Sequence, residues 1–127
     1  MTNIKFFVLS DGRLKGYEAS GHASDRMLRG NENDLVCGAV SVLTVTGVNA
    51  LCSITGAEPC VKVDDGYLRC MLSDSLDSAQ MEKAQIILRT IEQGLTDIQK
   101  QYPMYIRIHR KEWRHADAYD ESSALRS

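Results

Sequence analysis

Residues 3–20 alternate as a hairpin would. Ile4, Phe6 and Val8 interleave with Lys5, Phe7 and Leu9, which suits a strand covered on part of both faces. Asp11-Gly12 follows, a pair that tolerates the positive φ of a tight turn. The returning segment, Arg13 to Ser20, mixes Leu14 and Tyr17 with charged residues and predicts a more exposed strand. Residues 21–33 are polar, with Gly21, Gly30, Asn31 and Asn33 and no sustained period, so they predict a loop. The period then becomes helical from about Leu35 to Ile54. Val36, Val40, Leu43, Gly47, Ala50 and Ile54 make one stripe, with Cys37, Ser41, Thr44 and Val48 beside it. Asn33-Asp34 supplies the expected helix start, since an Asp side chain accepts bonds from orphan N–H groups and complements the dipole.

The second half repeats the plan. Cys60 to Val63 and Tyr67 to Leu72 flank Asp65-Gly66, a second hairpin signal. Asp77 with Gln80 three residues on resembles a reciprocal cap. Beyond it Ala84, Leu88, Ile91, Leu95 and Ile98 step by four and three, one apolar face of a helix. Tyr102-Pro103 stops that helix, and Tyr105 to Ile108 predicts a last strand. The order is ββα-ββα-β. It defines an α/β chain of the α+β type, with a mostly antiparallel sheet and two packed helices. Residues 1–109 form the expected domain and 110–127 a charged tail. That tail is either solvated or, through Arg107, Arg110, Lys111, Trp113 and Arg114, a surface facing RNA or a subunit.

At 127 residues there is room for one core, large enough to fold without a disulfide or metal. The net charge of −2 excludes binding to nucleic acid by bulk electrostatics and leaves room for a local basic patch. Leu35 to Ala57 carries no charge and is long enough to span a bilayer. Yet Ser41, Thr44, Thr46, Asn49, Ser53 and Thr55 oppose insertion and no Lys/Arg cluster flanks it, which favours the core helix of a soluble domain. The four cysteines, Cys37, Cys52, Cys60 and Cys70, form no C-x-x-C pair and suggest free thiols in a reducing cytoplasm. No metal or cofactor is expected. Cys52, Cys60 and Cys70 lie in apolar runs and read as packing residues.

Cys37 differs from the others. Three residues after Asp34, it is expected in the first helical turn, where free N–H groups favour an anion and could hold a tetrahedral oxyanion. A loop of the observed length can return His22 to that helix start and complete a Cys–His pair. The plainer readings are a cysteine that fills space and a loop histidine. Asp34 either caps the helix or orients the imidazole. Ser41 either bonds a backbone carbonyl or lines the site.

The run Gly21-His22-Ala23, followed after a loop by Asp34-Leu35-Val36-Cys37-Gly38-Ala39-Val40-Ser41, resembles the signature of the ribosomal-processing cysteine protease family Prp. That signature is G-H-A, a variable loop, then D-I/L-V-C-A/G-A-x-S. The resemblance spans residues 3–109, with its specific part at 21–41. It implies a small bacterial endopeptidase that trims a short N-terminal extension from large-subunit ribosomal protein twenty-seven, cutting after an aromatic residue. It implies His22 as general base and acid, Cys37 as nucleophile, supporting roles for Asp34, Ser41 and Gly21, and a homodimer. The segment from Ala23 to Asp34 is longer than the pattern and holds Arg26, Arg29 and Glu32, and the tail after His109 is an addition. Both departures bear on the substrate rather than the reaction. A non-catalytic RNA-contacting protein is the competing expectation. A redox protein fits less well, because Cys37 has no resolving cysteine nearby in sequence.

Overall fold

Residues 1–21 and 31–114 are described by the structure, a computed structural model. Strands β1 (Thr2–Val8), β2 (Leu14–Ser20), β3 (Cys60–Asp64), β4 (Tyr67–Met71) and β5 (Ile106–Glu112) form one sheet in the order β3-β4-β2-β1-β5. Helices α1 (Asn31–Thr55) and α2 (Ser78–Gln101) complete the ββα-ββα-β order. Every pairing is antiparallel except that of β5 with β1. A parallel return needs a long crossover, and α2 supplies it.

Strand alternation sorts the side chains. Ile4, Phe6, Tyr17, Ala19, Cys70 and Ile106 join α1 and α2 in a single apolar cluster. Their neighbours along each strand face the opposite way. β2 is not the exposed strand that its charged residues suggest. It lies between β1 and β4, and Leu14, Lys15, Gly16, Tyr17 and Ala19 are all buried. A bulge where Phe7 opposes Gly16 and Val8 opposes Leu14 leaves Lys15 as the extra residue. The Gln85 side chain of α2 repairs the interrupted ladder, accepting from the Leu14 N–H at 2.7 Å and donating to its carbonyl at 2.8 Å. Lys15 ion-pairs with Asp74 at 2.6 Å, which makes its burial tolerable.

α1 begins at Asn31, earlier than the Asn33-Asp34 start expected from local chemistry. Asp34 is therefore the fourth helical residue and not the cap. With Glu32 it puts negative charge in the first turn, where the dipole favours it. The inner side of α1 is set by Val36, Val40, Thr44 and Leu51. Its outer side keeps Leu35, Val42, Val45 and Ile54 exposed, so Ile54 leaves the stripe predicted for it. α1 is long and apolar enough in composition to cross a membrane, and burial on the sheet accounts for its inner side alone.

α2 follows its pattern closely. Asp77 and Gln80 form the reciprocal cap, at 2.8 and 3.0 Å. Gln80 also donates to the Thr55 carbonyl at 3.1 Å, tying the start of α2 to the end of α1. Ala84, Ile87, Leu88, Ile91 and Leu95 are buried, and Tyr102 closes the last turn on Ile98.

Two other expectations change. β5 runs on through Arg110, Lys111 and Glu112, so the segment assigned to a charged tail from residue 110 begins as a strand. Parallel pairing with β1 continues to Val8 opposite Glu112, and the Trp113 N–H donates to the Val8 carbonyl at 2.8 Å. The Trp113 ring then meets Phe7 edge-on at 5.5 Å. Cys60, expected in packing, is exposed at the start of edge strand β3.

Candidate active site

The end of β2, the start of β1 and the first half of α1 meet around a cleft of about 220 Å³. Cys37, Val40, Ser41, Thr44 and Val45 line it from α1, Thr2 from β1, and Ala19, Ser20 and Gly21 from β2 and its end. The β3–β4 turn closes the far side with Asp64, Gly66, Tyr67 and Leu68. Cys37 is half-buried there, and Thr2 Oγ1 stands 3.9 Å from its Sγ, at the outer limit of hydrogen-bond contact for sulfur.

Gly21 holds one corner. Its φ of 99° suits glycine, and a Cβ there would collide with the Met1 carbonyl oxygen. Its N–H donates to the Gly66 carbonyl at 3.1 Å, which joins the β3–β4 turn to the strand end just before His22. His22 itself lies outside the described residues, as do Arg26 and Arg29.

Cys37, Ser41 and Gly21 therefore share one cleft. Asp34 is exposed and is not among its lining residues. Cys37 is the seventh residue of α1, counting from Asn31. That corrects its expected place in the first turn. The unpaired N–H groups of a helix belong to its first four residues, and the dipole's influence fades within one turn. Those groups lie in the turn before Cys37 rather than at its own position. Ser41, one turn further on and exposed, is a polar group on the same side of the helix, as is the buried Thr44.

Thr44 already shares the sequence stripe of Cys37 and Ser41, whereas Thr2 and the β3–β4 turn were not expected at this cleft. Thr2 shares its strand face with Ile4 and Phe6, so period two was the available signal. The turn enters only through the pairing of β4 with β2, which no local pattern reveals.

The other thiols differ from Cys37 in setting. Burial pushes the Cys70 thiol up to about 12, which keeps it protonated at neutral pH. Burial likewise raises the Tyr17 hydroxyl far above its ordinary value, and it donates to the Thr44 carbonyl at 2.6 Å. A larger open hollow of about 1090 Å³ runs beside α2 near Arg89, Gln93 and Arg110, and among the described residues neither cysteine nor histidine lines it. Among the described residues no cluster of His, Cys, Asp and Glu could hold a metal ion.

The described site thus presents a half-buried thiol in a cleft at the joint of helix and sheet, on an α+β fold. Residues 1–107 match the family model for cysteine protease Prp, and the chain belongs to that family. The ribosomal processing cysteine protease Prp of Bacillus subtilis is 29% identical over 100 residues, covering 77% of this chain and 87% of that protein. Its namesake from Staphylococcus aureus is 28% identical over 113 residues, 87% of this chain and all of that one. The crystal structure of the essential Staphylococcus aureus protease in complex with a substrate peptide matches with a TM-score of 0.76 at 26% identity, covering 87% of this chain and 100% of that one. A second structure of that enzyme, with a covalently linked product peptide, matches at 0.73 and 28% identity, with the same coverage. The protein is thus a Prp-type cysteine protease of ribosomal protein processing.

Proposed function

We propose that this protease removes a short N-terminal extension from large-subunit ribosomal protein twenty-seven by Cys–His nucleophilic catalysis. The observation that carries the reading is the placement of Cys37 with Ser41 and Gly21 in one cleft, the positions that match the family signature. The covalently linked product peptide of the Staphylococcus aureus relative supports a covalent step. The Cys37 thiolate attacks the scissile carbonyl, and His22 protonates the departing amine, leaving a thioester. Water, deprotonated by His22, then releases the acid and restores the thiol. Ser41 offers a hydroxyl to the bound peptide, and the cytoplasm is the proposed compartment.

The test is direct. Incubated with a synthetic peptide carrying the extension, the protein should yield one cleavage after an aromatic residue, read by mass spectrometry. An intact peptide, with a generic thiol-protease substrate still cleaved, would remove this substrate while keeping the enzyme class.

We also propose that the protein is a homodimer. The support is the uncharged outer side of α1, where Leu35, Val42 and Val45 are exposed and Val45 also lines the cleft. Sedimentation should give a dimer for the native chain and a monomer for Val42→Asp. A native chain that sediments as a monomer at tens of micromolar overturns the proposal.

A further inference from the structure

The sheet has a second face, turned away from both helices. Cross-strand register fixes its membership. One row runs Lys62, Arg69, Glu18, Lys5, His109 across all five strands. The rows beside it contribute Arg107 and Lys111 from β5 and Asp64 from β3. Lys15 joins them through its bulge, since its Nζ lies 5.8 Å from the centroid of the Trp113 ring. This face therefore gathers Lys5, Lys15, Lys62, Arg69, Arg107 and Lys111 against the carboxylates of Glu18, Asp64 and Asp74, the last paired with Lys15, on a chain whose net charge is −2. Among the described residues no element packs across it.

The centre of the face is built to hold an aromatic ring. Arg69 lies 5.0 Å over Phe7 and 5.9 Å from the Trp113 centroid, while Glu18 accepts from the Tyr67 hydroxyl at 3.0 Å. Lys15 is buried and Arg69 half-buried, and together they anchor the half-exposed indole. The outer cations are Lys5, Lys62, Arg107 and Lys111. None of the exposed large aliphatic residues lies on this face, so it offers nothing to insert into a bilayer or to seed an apolar protein interface. Four strand spacings of about 4.8 Å make the basic row roughly 19 Å wide, enough for several phosphates.

We propose that this open sheet face binds single-stranded RNA, the cations following its phosphates and Trp113 offering a ring to a base. It adjoins the cleft, with Asp64 and Tyr67 bordering both, but is a second site, because none of these cations lines the Cys37 cavity. It does not depend on the substrate assigned above.

The experiment uses the full chain and a short labelled single-stranded RNA, with a matching DNA strand and phosphatidylglycerol vesicles as comparison probes. Trp113 is the chain's only tryptophan, so its emission reports on this face directly. RNA should change that emission, with affinity falling as salt rises. Arg107→Glu with Lys111→Glu should weaken binding by about tenfold or more and flatten that dependence on salt. The equal charge change on exposed α2 positions, Lys83→Glu with Lys100→Glu, should stay within about twofold. Peptide cleavage should be unchanged in both pairs. DNA bound as tightly as RNA supports recognition of the phosphate backbone, and a preference for RNA adds the 2′-hydroxyl. Absence of binding at low salt, equal loss in the two pairs, or uptake by vesicles without RNA binding overturns the proposal.

Discussion

Replacing Cys37 with alanine abolishes peptide cleavage while leaving the protein folded. The expected loss is on the order of 10⁴-fold or more in kcat, the scale at which a covalent nucleophile differs from its absence. Folding should survive because Cys37 is half-buried at the wall of a cleft, and among the described residues its polar contact is Thr2 Oγ1 at 3.9 Å. A small loss of stability, about 1 kcal/mol or less, is the expectation. His22→Ala should match that loss in activity, and the double variant should be little worse than either, since the two act as a unit. Cleavage within about tenfold of native by Cys37→Ala would exclude it as the nucleophile. Thiol labelling is a poorer guide than kinetics here. Cys60 is exposed on an edge strand and will alkylate too, whereas burial holds Cys70 protonated.

What was legible in the sequence follows from the range over which each signal acts. Local chemistry was reliable. The Asp77/Gln80 cap, the Asp65-Gly66 turn and the apolar face of α2 all stand where spacing predicts them. The errors come from pairing between distant segments. β2 was expected to be exposed because Arg13, Lys15 and Glu18 are charged. Its neighbours β1 and β4 bury it, with Lys15 neutralised by Asp74 and its bulge repaired by Gln85 of α2. β5 outruns its apolar residues because a parallel partner, not side-chain pattern, sets its length.

The site shows the same division. Cys37, Ser41 and Gly21 were legible as a motif, and the structure brings them to one cleft. Their electrostatic setting was not legible, because it depends on where α1 begins. Asn31 and Glu32 extend the helix backward, and this moves Cys37 away from the free N–H groups. Thr2 and the β3–β4 turn reach the cleft only through the sheet.

Gly47→Ala should destabilise the protein, although it adds only one methyl group to a helix. Gly47 is buried in α1 above the Tyr17 ring. A Cβ there would overlap the Tyr17 hydroxyl and come within 3.2 Å of Ile91 Cγ1. In an exposed helix the same change stabilises by about 1 kcal/mol. Here the ring cannot yield, since Tyr17 is fully buried and its hydroxyl is committed to the Thr44 carbonyl one turn earlier. Either that bond breaks or α1 lifts from the sheet, and overpacking of this kind costs about 1–3 kcal/mol. Gly38→Ala is the control within the same helix, because nothing lies within 4 Å of its would-be Cβ. It should raise the melting temperature while Gly47→Ala lowers it. Tyr17→Phe alone should cost about 1 kcal/mol for the lost hydrogen bond. Combined with Gly47→Ala it removes the nearest clashing atom, so the double variant should be more stable than the sum of the two by about 1 kcal/mol. Strict additivity in urea denaturation would show that the hydroxyl is not what Gly47 makes room for. Cleavage should follow the same order, since the contact that seats α1 on β2 also carries Cys37 and Ser41 to the cleft.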